Sequence, residues 1–159
     1  SIPLQRVIQG SENTCERQAI TTQSVDINAG MDGAWFDERT SGQGFLIDAH
    51  PKPDGGDFVF VAWFTYGEDT ASGQRWLTAQ GNFEGSTAAL DIYETTGGRF
   101  DDPLAVNTAK VGTMTMDFQD CNHALLTYSL TDEDLNNSIA ISRAIPGTQA
   151  LCEEMLGAR

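Results

Sequence analysis

The chain has 159 residues, of which 40% are hydrophobic and 20% charged, and its net charge is −14. This length and composition fit one domain with a sizeable core, while the negative charge argues against nucleic acid and anionic membrane surfaces as partners, because both bind basic patches. No apolar run approaches the roughly 18 residues of a membrane-spanning helix, so no membrane span is expected.

After residue 30, short runs with a period of two, broken by Gly, Asp and Asn, predict antiparallel β-structure. In chain order, the eight predicted strands are 33–38, 44–50, 58–66, 75–83, 88–95, 111–120, 123–131 and 138–145. Residues 96–110 are predicted to form a loop and residues 148–156 a short helix. Eight strands joined mainly by hairpins favour an all-β fold, an eight-stranded antiparallel up-and-down β-barrel, with a two-sheet β-sandwich as the alternative.

The third predicted strand, FVFVAWFTY, is apolar on both faces. Phe60 and Phe64 lie on one face, and Val59 and Trp63 on the other. In a barrel wall, the outer face of each strand is normally polar and exposed to water. Either a loop or the amino-terminal segment covers the outer face, or this face is a protein interface.

The first 16 residues repeat the end of the chain at an offset of 137 positions. Seven of the 16 aligned positions are identical, whereas about one identity is expected by chance. The identical residues are Ser1, Ile2, Arg6, Ile8, Gly10, Cys15 and Glu16, which match Ser138, Ile139, Arg143, Ile145, Gly147, Cys152 and Glu153. Residues 1–25 are therefore interpreted as a tail resembling the last strand of a preceding module, and residues 26–159 as the barrel module.

The amino-terminal segment has the alternation of the last predicted strand, with Ile2, Leu4, Arg6 and Ile8 on one face. Such a segment can pair wherever the last strand pairs, but within one molecule that place is taken. Pro3 suits an edge or a strand start, because it donates no ladder hydrogen bond. We expect this assembly strand to dock on a neighbouring copy. The alternative is a tail packed on its own domain.

The three cysteines are Cys15, Cys121 and Cys152, and with no CxxC pair and only two histidines a zinc site is not expected. In an eight-stranded meander, the turn that holds Cys121 lies at the same end as both module termini, near Cys152. We predict a Cys121–Cys152 disulfide, which stabilises the fold by roughly 3 kcal/mol. Cys15 is then unpaired, a competitor for Cys121, or bonded to another chain.

Trp35 in the first strand and Arg143 in the last are predicted to meet at one end of the barrel. Arg143 shares a face with three isoleucines and needs a partner there. The first strand starts, and the last ends, at the same barrel end, so the guanidinium can lie over the indole as a cation–π pair. This pair resembles the closed-end signature of the calycin superfamily, which includes lipocalins and avidins. The resemblance implies a barrel that can hold a small ligand at its open end.

A second resemblance covers most of the chain. The phrases GAWFDERTSGQGFLID, AWFTY, RWLTAQG, LDIYETTGG and SIAISRAI are similar to those of a widespread group of secreted bacterial proteins. The group shares a G-x-W-[YF]-x-x-x-x-S-G-Q-G-F opening and an R-W-L-T-x-Q-G strand. The resemblance implies an extracellular module, often one part of a longer chain, and it implies no activity.

Four aromatic residues, Trp63, Tyr66, Trp76 and Tyr93, are candidates to line a ligand pocket, although as core residues they need no ligand. Side chains alternate between the two faces of a strand, and these four do not all fall on the inward face. Not all of them can therefore line one cavity.

Asp132, Asp134 and Asn136 resemble the opening of a calcium loop. This loop lacks the glycine expected at the sixth position, and Arg143 stands where the bidentate glutamate belongs. A polar hairpin turn is the favoured interpretation, and the paired acids elsewhere are interpreted as solvated surface. No catalytic residue, resident metal or cofactor is predicted.

The favoured function is that of a non-catalytic, secreted or cell-surface module, with a periplasmic location as the alternative, that works in extracellular assembly or adhesion. Its expected partners are other copies of itself or neighbouring modules. One alternative is a small-ligand carrier of the calycin kind. Another is an acidic inhibitor or receptor module that binds a basic protein. A hydrolase is the least favoured.

Overall fold

The computed structural model describes residues 24–51, 57–67, 73–131 and 133–157. It is a closed barrel of eight antiparallel strands in which each strand pairs with the next along the chain and β8 pairs with β1. This confirms the predicted barrel and rules out the two-sheet sandwich. The strands are β1 (Gly33–Phe36), β2 (Gly44–His50), β3 (Phe58–Tyr66), β4 (Gln74–Glu84), β5 (Thr87–Thr96), β6 (Asn107–Phe118), β7 (His123–Leu130) and β8 (Leu135–Arg143).

Two predicted parts of the chain fall outside the described residues. One is the segment 1–23, which holds the predicted assembly strand and Cys15, and the other is Asp132 of the calcium candidate. The predicted carboxy-terminal helix is present as α1 (Gln149–Gly157).

The first strand is shorter than predicted because a tight turn ends it. The Asp37 carboxylate accepts a hydrogen bond from the Arg39 amide at 3.0 Å, and the Asp37 carbonyl accepts one from the Thr40 amide, also at 3.0 Å. Asp37 thus replaces ladder bonds with local ones, as aspartate does in turns. As a result β1 stops at Phe36 rather than at residue 38.

The sixth strand begins at Asn107, not at residue 111 as predicted, so the connection before it is shorter. The register of β5 with β6 shifts between Ile92 and Tyr93, which pair with Gly112 and Lys110. Val111 is the extra residue of this β-bulge. The bulge breaks the two-residue period and hides the start of the strand from a pattern-based prediction.

The last strand runs over Leu135–Arg143, whereas the predicted range was 138–145. It starts earlier because the hairpin from β7 is tight, with Leu130 opposite Leu135. It ends earlier because the Ala144 amide makes the last contact with β1, donating to the Ala34 carbonyl at 2.9 Å.

One end of the barrel, here called the closed end, is covered by the segment before β1 and by α1. The Val25 and Ile27 amides donate to Phe118 and Gly85 carbonyls at 3.2 and 2.8 Å. A 3₁₀ turn at Ala29–Met31 then packs under α1. The opposite end, where the β1–β2, β3–β4, β5–β6 and β7–β8 connections lie, is called the open end.

The barrel interior is a packed apolar core, formed by the inward-facing residues of the alternating strands. The largest fully buried side chains include Trp35, Phe118, Met114, Met116 and Leu126. The outer face of β3 differs along its length, since Ala62 is buried while Phe64 is 40% exposed. The apolar outer face noted in the sequence is thus partly open to solvent near the open end.

Candidate functional site

The closed end contains the predicted cation–π pair, with the Arg143 Cζ atom 4.6 Å from the centroid of the Trp35 ring. The Trp35 indole donates to the Met31 carbonyl at 3.0 Å. The Arg143 guanidinium also donates to the carbonyls of Cys121 at 2.6 Å, of Asp32 at 3.0 Å, and of Gly30. Burial lowers the pKa of Arg143, and the negative charge of Asp32 opposes this shift. These contacts join the segment before β1 to the β6–β7 turn, so Arg143 has a structural role.

The predicted disulfide between Cys121 and Cys152 is confirmed. It joins the β6–β7 turn to α1, and Cys152 is fully buried. Gly30 packs directly beneath it, since a Cβ atom on Gly30 would lie 2.2 Å from the Cys152 backbone nitrogen. The 3₁₀ turn and α1 are therefore in close contact at this end.

At the open end, the seam between the first and last strands is incomplete. β1 pairs with β8 only at Trp35–Arg143 and Phe36–Ser142. β8 continues from there to Leu135 while remaining paired with β7 on its other edge. Residues 135–141 therefore have no strand neighbour on the β1 side among the described strands.

The free edge of β8 presents the peptide groups of its even-numbered residues. The Arg143 amide donates to Asn122 on the β7 side, and the Ala144 amide donates to Ala34 on the β1 side. Because peptide groups alternate between the two edges of a strand, those of Ala140 and Ser138 face the gap. The Ser138 amide is satisfied by the Asn137 side chain at 2.8 Å.

A cavity of about 350 Å³ lies in this gap, here called the seam cavity. Its apolar walls are Phe45, Trp63, Tyr128 and Ile139. Phe45 stacks on Trp63 with ring centroids 5.5 Å apart, and Trp63 meets Tyr128 edge-on at 4.9 Å. Its remaining lining residues are Asp37, Arg39, Thr40, Gln43, Gly44, Asn137 and Ser138. The volume and mixed lining are typical of sites that accept a small molecule or the side chains of a partner.

The rim of the seam cavity carries polar groups with shifted pKa values. Side-chain hydrogen bonds from Arg39, reinforced by the Arg39 amide and charge, lower the pKa of Asp37 to about 2. Burial raises the pKa of Tyr128, and the negative charge of Glu133 raises it further. A hydrogen bond with Asn137 acts in the opposite direction. Asp37 is therefore a fixed negative charge at neutral pH, and Tyr128 a neutral hydroxyl.

A charged cluster also faces the open end. Arg75 donates to both oxygens of Glu94, at 2.8 and 3.2 Å, and to one oxygen of Glu133. The second oxygen, Oε2 of Glu133, is buried without a hydrogen-bond partner among the described residues. Two carboxylates thus share one guanidinium, and the open end is less completely satisfied than the closed end.

The four predicted ligand-lining aromatics do not form one site. Trp63 faces inward and lines the seam cavity. Trp76 and Tyr93 point outward and line a different cavity on the outer wall. Tyr66 also points outward, and its hydroxyl packs against Gly42. The reason is that side chains alternate between the two faces of a strand. Trp63 and Tyr66 therefore lie on opposite faces of β3, and Trp63 pairs with Leu77 rather than with Trp76.

Sequence reasoning did not single out Phe45, Tyr128 and Asn137 for the seam cavity. The sequence does contain a signal for Asn137. It is a polar residue among the inward-facing residues of β8, which are otherwise apolar as far as Arg143, and it lies opposite Tyr128. Phe45 and Tyr128 carry no such signal, since inward aromatics are expected in any core.

Of the calcium candidate, Asp132 lies outside the described residues, so the structure describes only Asp134 and Asn136. Asp134 adopts a positive φ of 49°, as turn residues do, and Asn136 is exposed on β8. Within the described ranges, no group of three or more His, Cys, Asp or Glu side chains could hold a metal ion.

In comparisons with known proteins, no family model, no curated protein and no solved structure matches this chain. In the part of the chain that the structure describes, no helix combines the length and the apolarity required to cross a membrane.

Proposed function

We propose that this chain is a non-catalytic, secreted barrel module that joins other copies of itself by strand addition. Residues 1–8 of one copy pair with the free edge of β8 in the next. The observation that carries the proposal is the incomplete seam, where β8 extends beyond Phe36–Ser142 without a neighbour on its β1 side among the described strands. An exposed strand edge is a template for pairing with an extended segment.

The assembly strand has the length and pattern that this edge requires. Residues 135–141 of β8 extend over roughly 20 Å, which an eight-residue strand can follow. In an added strand, Ile2 and Leu4 would share one face. That face would turn toward the aromatic walls of the seam cavity, Phe45 and Trp63. Burial of these two aliphatic side chains supplies about 1.5–3 kcal/mol each before ordering costs.

The Cys121–Cys152 disulfide supports the extracellular location, because structural disulfides persist mainly outside the reducing cytosol. The net charge of −14 disfavours unspecific contact between copies, so a specific joint is needed to hold them together.

The first test compares the whole chain with a chain that begins at residue 17. Sedimentation over a wide concentration range should show oligomers or filaments for the whole chain and monomers for the shortened one. The isolated peptide 1–16 should then bind the shortened protein. A monomeric whole chain, or a shortened chain that assembles equally well, contradicts the proposal.

A second test acts on the edge itself. Ala140→Pro removes an amide that faces the gap and leaves the β7–β8 ladder intact. Assembly should be lost, and the circular dichroism spectrum should be retained. Ala140→Val is the matched control, since it keeps the amide at the same exposed position and should still assemble. Equal assembly of the two variants would show that the β8 edge is not the joint.

The seam cavity also favours a second candidate, a carrier of a small amphipathic ligand. A volume of about 350 Å³ with aromatic walls and the polar groups of Tyr128 and Asn137 is the specific observation. The two functions are separated by competition: a ligand in this cavity should displace the peptide 1–16 from the shortened protein. If no ligand from extracts of the growth medium binds the shortened protein, the carrier function is wrong.

A further inference from the structure

The outer wall near the open end carries an unusually exposed tryptophan. Trp76 on β4 is 62% exposed, and it stacks on Phe64 of β3 with ring centroids 5.8 Å apart and an angle of 28° between the planes. Phe64 is itself 40% exposed. The stacked pair leaves the Trp76 ring as a solvent-facing aromatic surface on paired strands, here called the platform, and such an apolar surface often marks a binding site.

Beside this platform lies a groove of about 320 Å³, here called the outer groove. It is lined by Trp76, Thr78, Tyr93, Thr95 and Gly98. Four of these residues lie on the paired strands β4 and β5, with Thr78 opposite Tyr93. Thr95 is held by Thr108, their hydroxyl oxygens being 2.9 Å apart. The groove is thus formed largely by paired strands rather than by flexible loops.

The lining chemistry restricts the ligand. None of the four side chains that line the groove among the described residues is charged, although the chain carries 23 acidic residues. A charged ligand would find no partner of opposite sign among the described lining residues. The groove offers the aromatic ring of Trp76 together with hydroxyl groups from Thr78, Tyr93 and Thr95.

We infer that the outer groove binds a neutral saccharide. A hexopyranose ring has one flat face of C–H groups and a rim of hydroxyls. The C–H face would stack on Trp76, and the rim hydroxyls would bond to Tyr93 and the threonines. This site is independent of the proposed assembly function, because it uses neither β8 nor the seam cavity.

The test titrates the whole chain with neutral hexasaccharides from β-1,4-glucan, β-1,3-glucan and mannan, with a hexagalacturonate as the charged comparison. Calorimetry measures affinity. Acrylamide quenching of tryptophan fluorescence reports on Trp76, because Trp35 and Trp63 are only 1% and 4% exposed. At least one neutral oligosaccharide should bind with a dissociation constant below about 1 mM and protect Trp76 from the quencher.

Trp76→Ala should weaken that affinity by about tenfold or more, and Tyr93→Phe should weaken it less. Phe100→Ala is the matched control: Phe100 is an aromatic residue, 98% exposed, that does not line the groove. It should leave the affinity unchanged. The inference is overturned if no neutral oligosaccharide binds, if binding survives Trp76→Ala, or if the galacturonate binds equally well. It is also overturned if Trp76→Ala changes the sedimentation of the protein alone, since the platform would then be a contact between copies.

Discussion

The two ends of this barrel are formed by the same strands, but they differ in how completely the strands and side chains are paired. At the closed end, the Arg143 guanidinium meets the Trp35 ring and three backbone carbonyls, and a disulfide joins Cys121 to α1. At the open end, β8 runs on past its last partner in β1. There the Glu133 carboxylate keeps a buried oxygen without a partner among the described residues.

This difference indicates how a barrel with so short a first strand stays closed. Only two register pairs join β1 to β8, so the seam depends on the contacts around Arg143 and on the disulfide beside it. Because the closed end holds the seam, the open end can leave a strand edge and a cavity accessible. The contacts that hold the seam thus lie at one end and the free strand edge and the seam cavity at the other, so substitutions should separate stability from the proposed assembly.

The largest expected effect comes from removing the disulfide. Cys121→Ala combined with Cys152→Ala should lower the free energy of unfolding by about 3–4 kcal/mol, because a loop of this length is no longer constrained in the unfolded chain. Urea unfolding in the shortened chain that begins at residue 17 measures it without interference from Cys15. A loss below about 1 kcal/mol would mean that the closed end is held mainly by packing.

Arg143→Leu is expected to have the next largest effect. The sequence alone predicts a loss of about 1–2 kcal/mol from the cation–π pair. The carbonyls of Cys121, Asp32 and Gly30 also lose a charged donor, which raises the expected loss to roughly 2–3 kcal/mol. The circular dichroism spectrum should be retained.

Arg143→Lys is the control for this variant, because it keeps the charge but not the planar fork of donors. The stability of Arg143→Lys should lie between that of the unchanged protein and that of Arg143→Leu. If Arg143→Lys is as stable as the unchanged protein, the charge alone matters, and the hydrogen bonds to the three carbonyls contribute little.

Two glycines test the difference in packing between the ends. A Cβ atom on Gly30 would lie 2.2 Å from the Cys152 nitrogen, whereas on Gly98 the nearest atom is a Val106 methyl at 3.7 Å. Gly30→Ala should therefore cost about 1–3 kcal/mol through overpacking, and Gly98→Ala should be nearly neutral. Thermal unfolding of both variants measures this, and equal melting temperatures would contradict the contrast.

The strand pattern and the turn residues made the barrel predictable, and Trp35, Arg143 and the disulfide followed from counting strands. These features depend on which residues share a barrel end, and that is fixed once the meander is assumed. The early end of β1 was not predictable in the same way. It depends on whether Asp37 makes turn bonds with Arg39 and Thr40 or continues the ladder, and the sequence GAWFDE fits both.

The seam cavity was not predictable from the strand pattern either. Its walls, Phe45 and Tyr128, have the pattern of ordinary core residues, and they line a cavity because β1, among the described strands, covers only a short part of β8. The outer groove was partly anticipated, since Trp76 and Tyr93 were candidates. Their exposure depends on whether a loop covers the outer wall, which strand periodicity does not reveal.

The smallest expected effect concerns the turn that ends β1. Hydrogen bonds from Arg39 hold the pKa of Asp37 at about 2, below its ordinary value of 3.8. A lowered folded-state pKa means that the ionised form stabilises the fold, so this contribution is complete above pH 3.8 and is lost as the pH falls toward 2. Because the turn forms one wall of the seam cavity, acid should loosen that wall.

Carbon-13 NMR titration of the Asp37 carboxyl group measures this directly. Arg39→Ala should return the pKa of Asp37 toward 3.8. Asp120 at the closed end is the internal control, because its lowered pKa depends on Asn122 and His123 against the opposing effect of burial, so Arg39→Ala should leave it unchanged. An Asp37 that titrates near 3.8 in the unchanged protein would mean that the turn is not held by this carboxylate. The early end of β1, and with it the free edge of β8, would then need another cause.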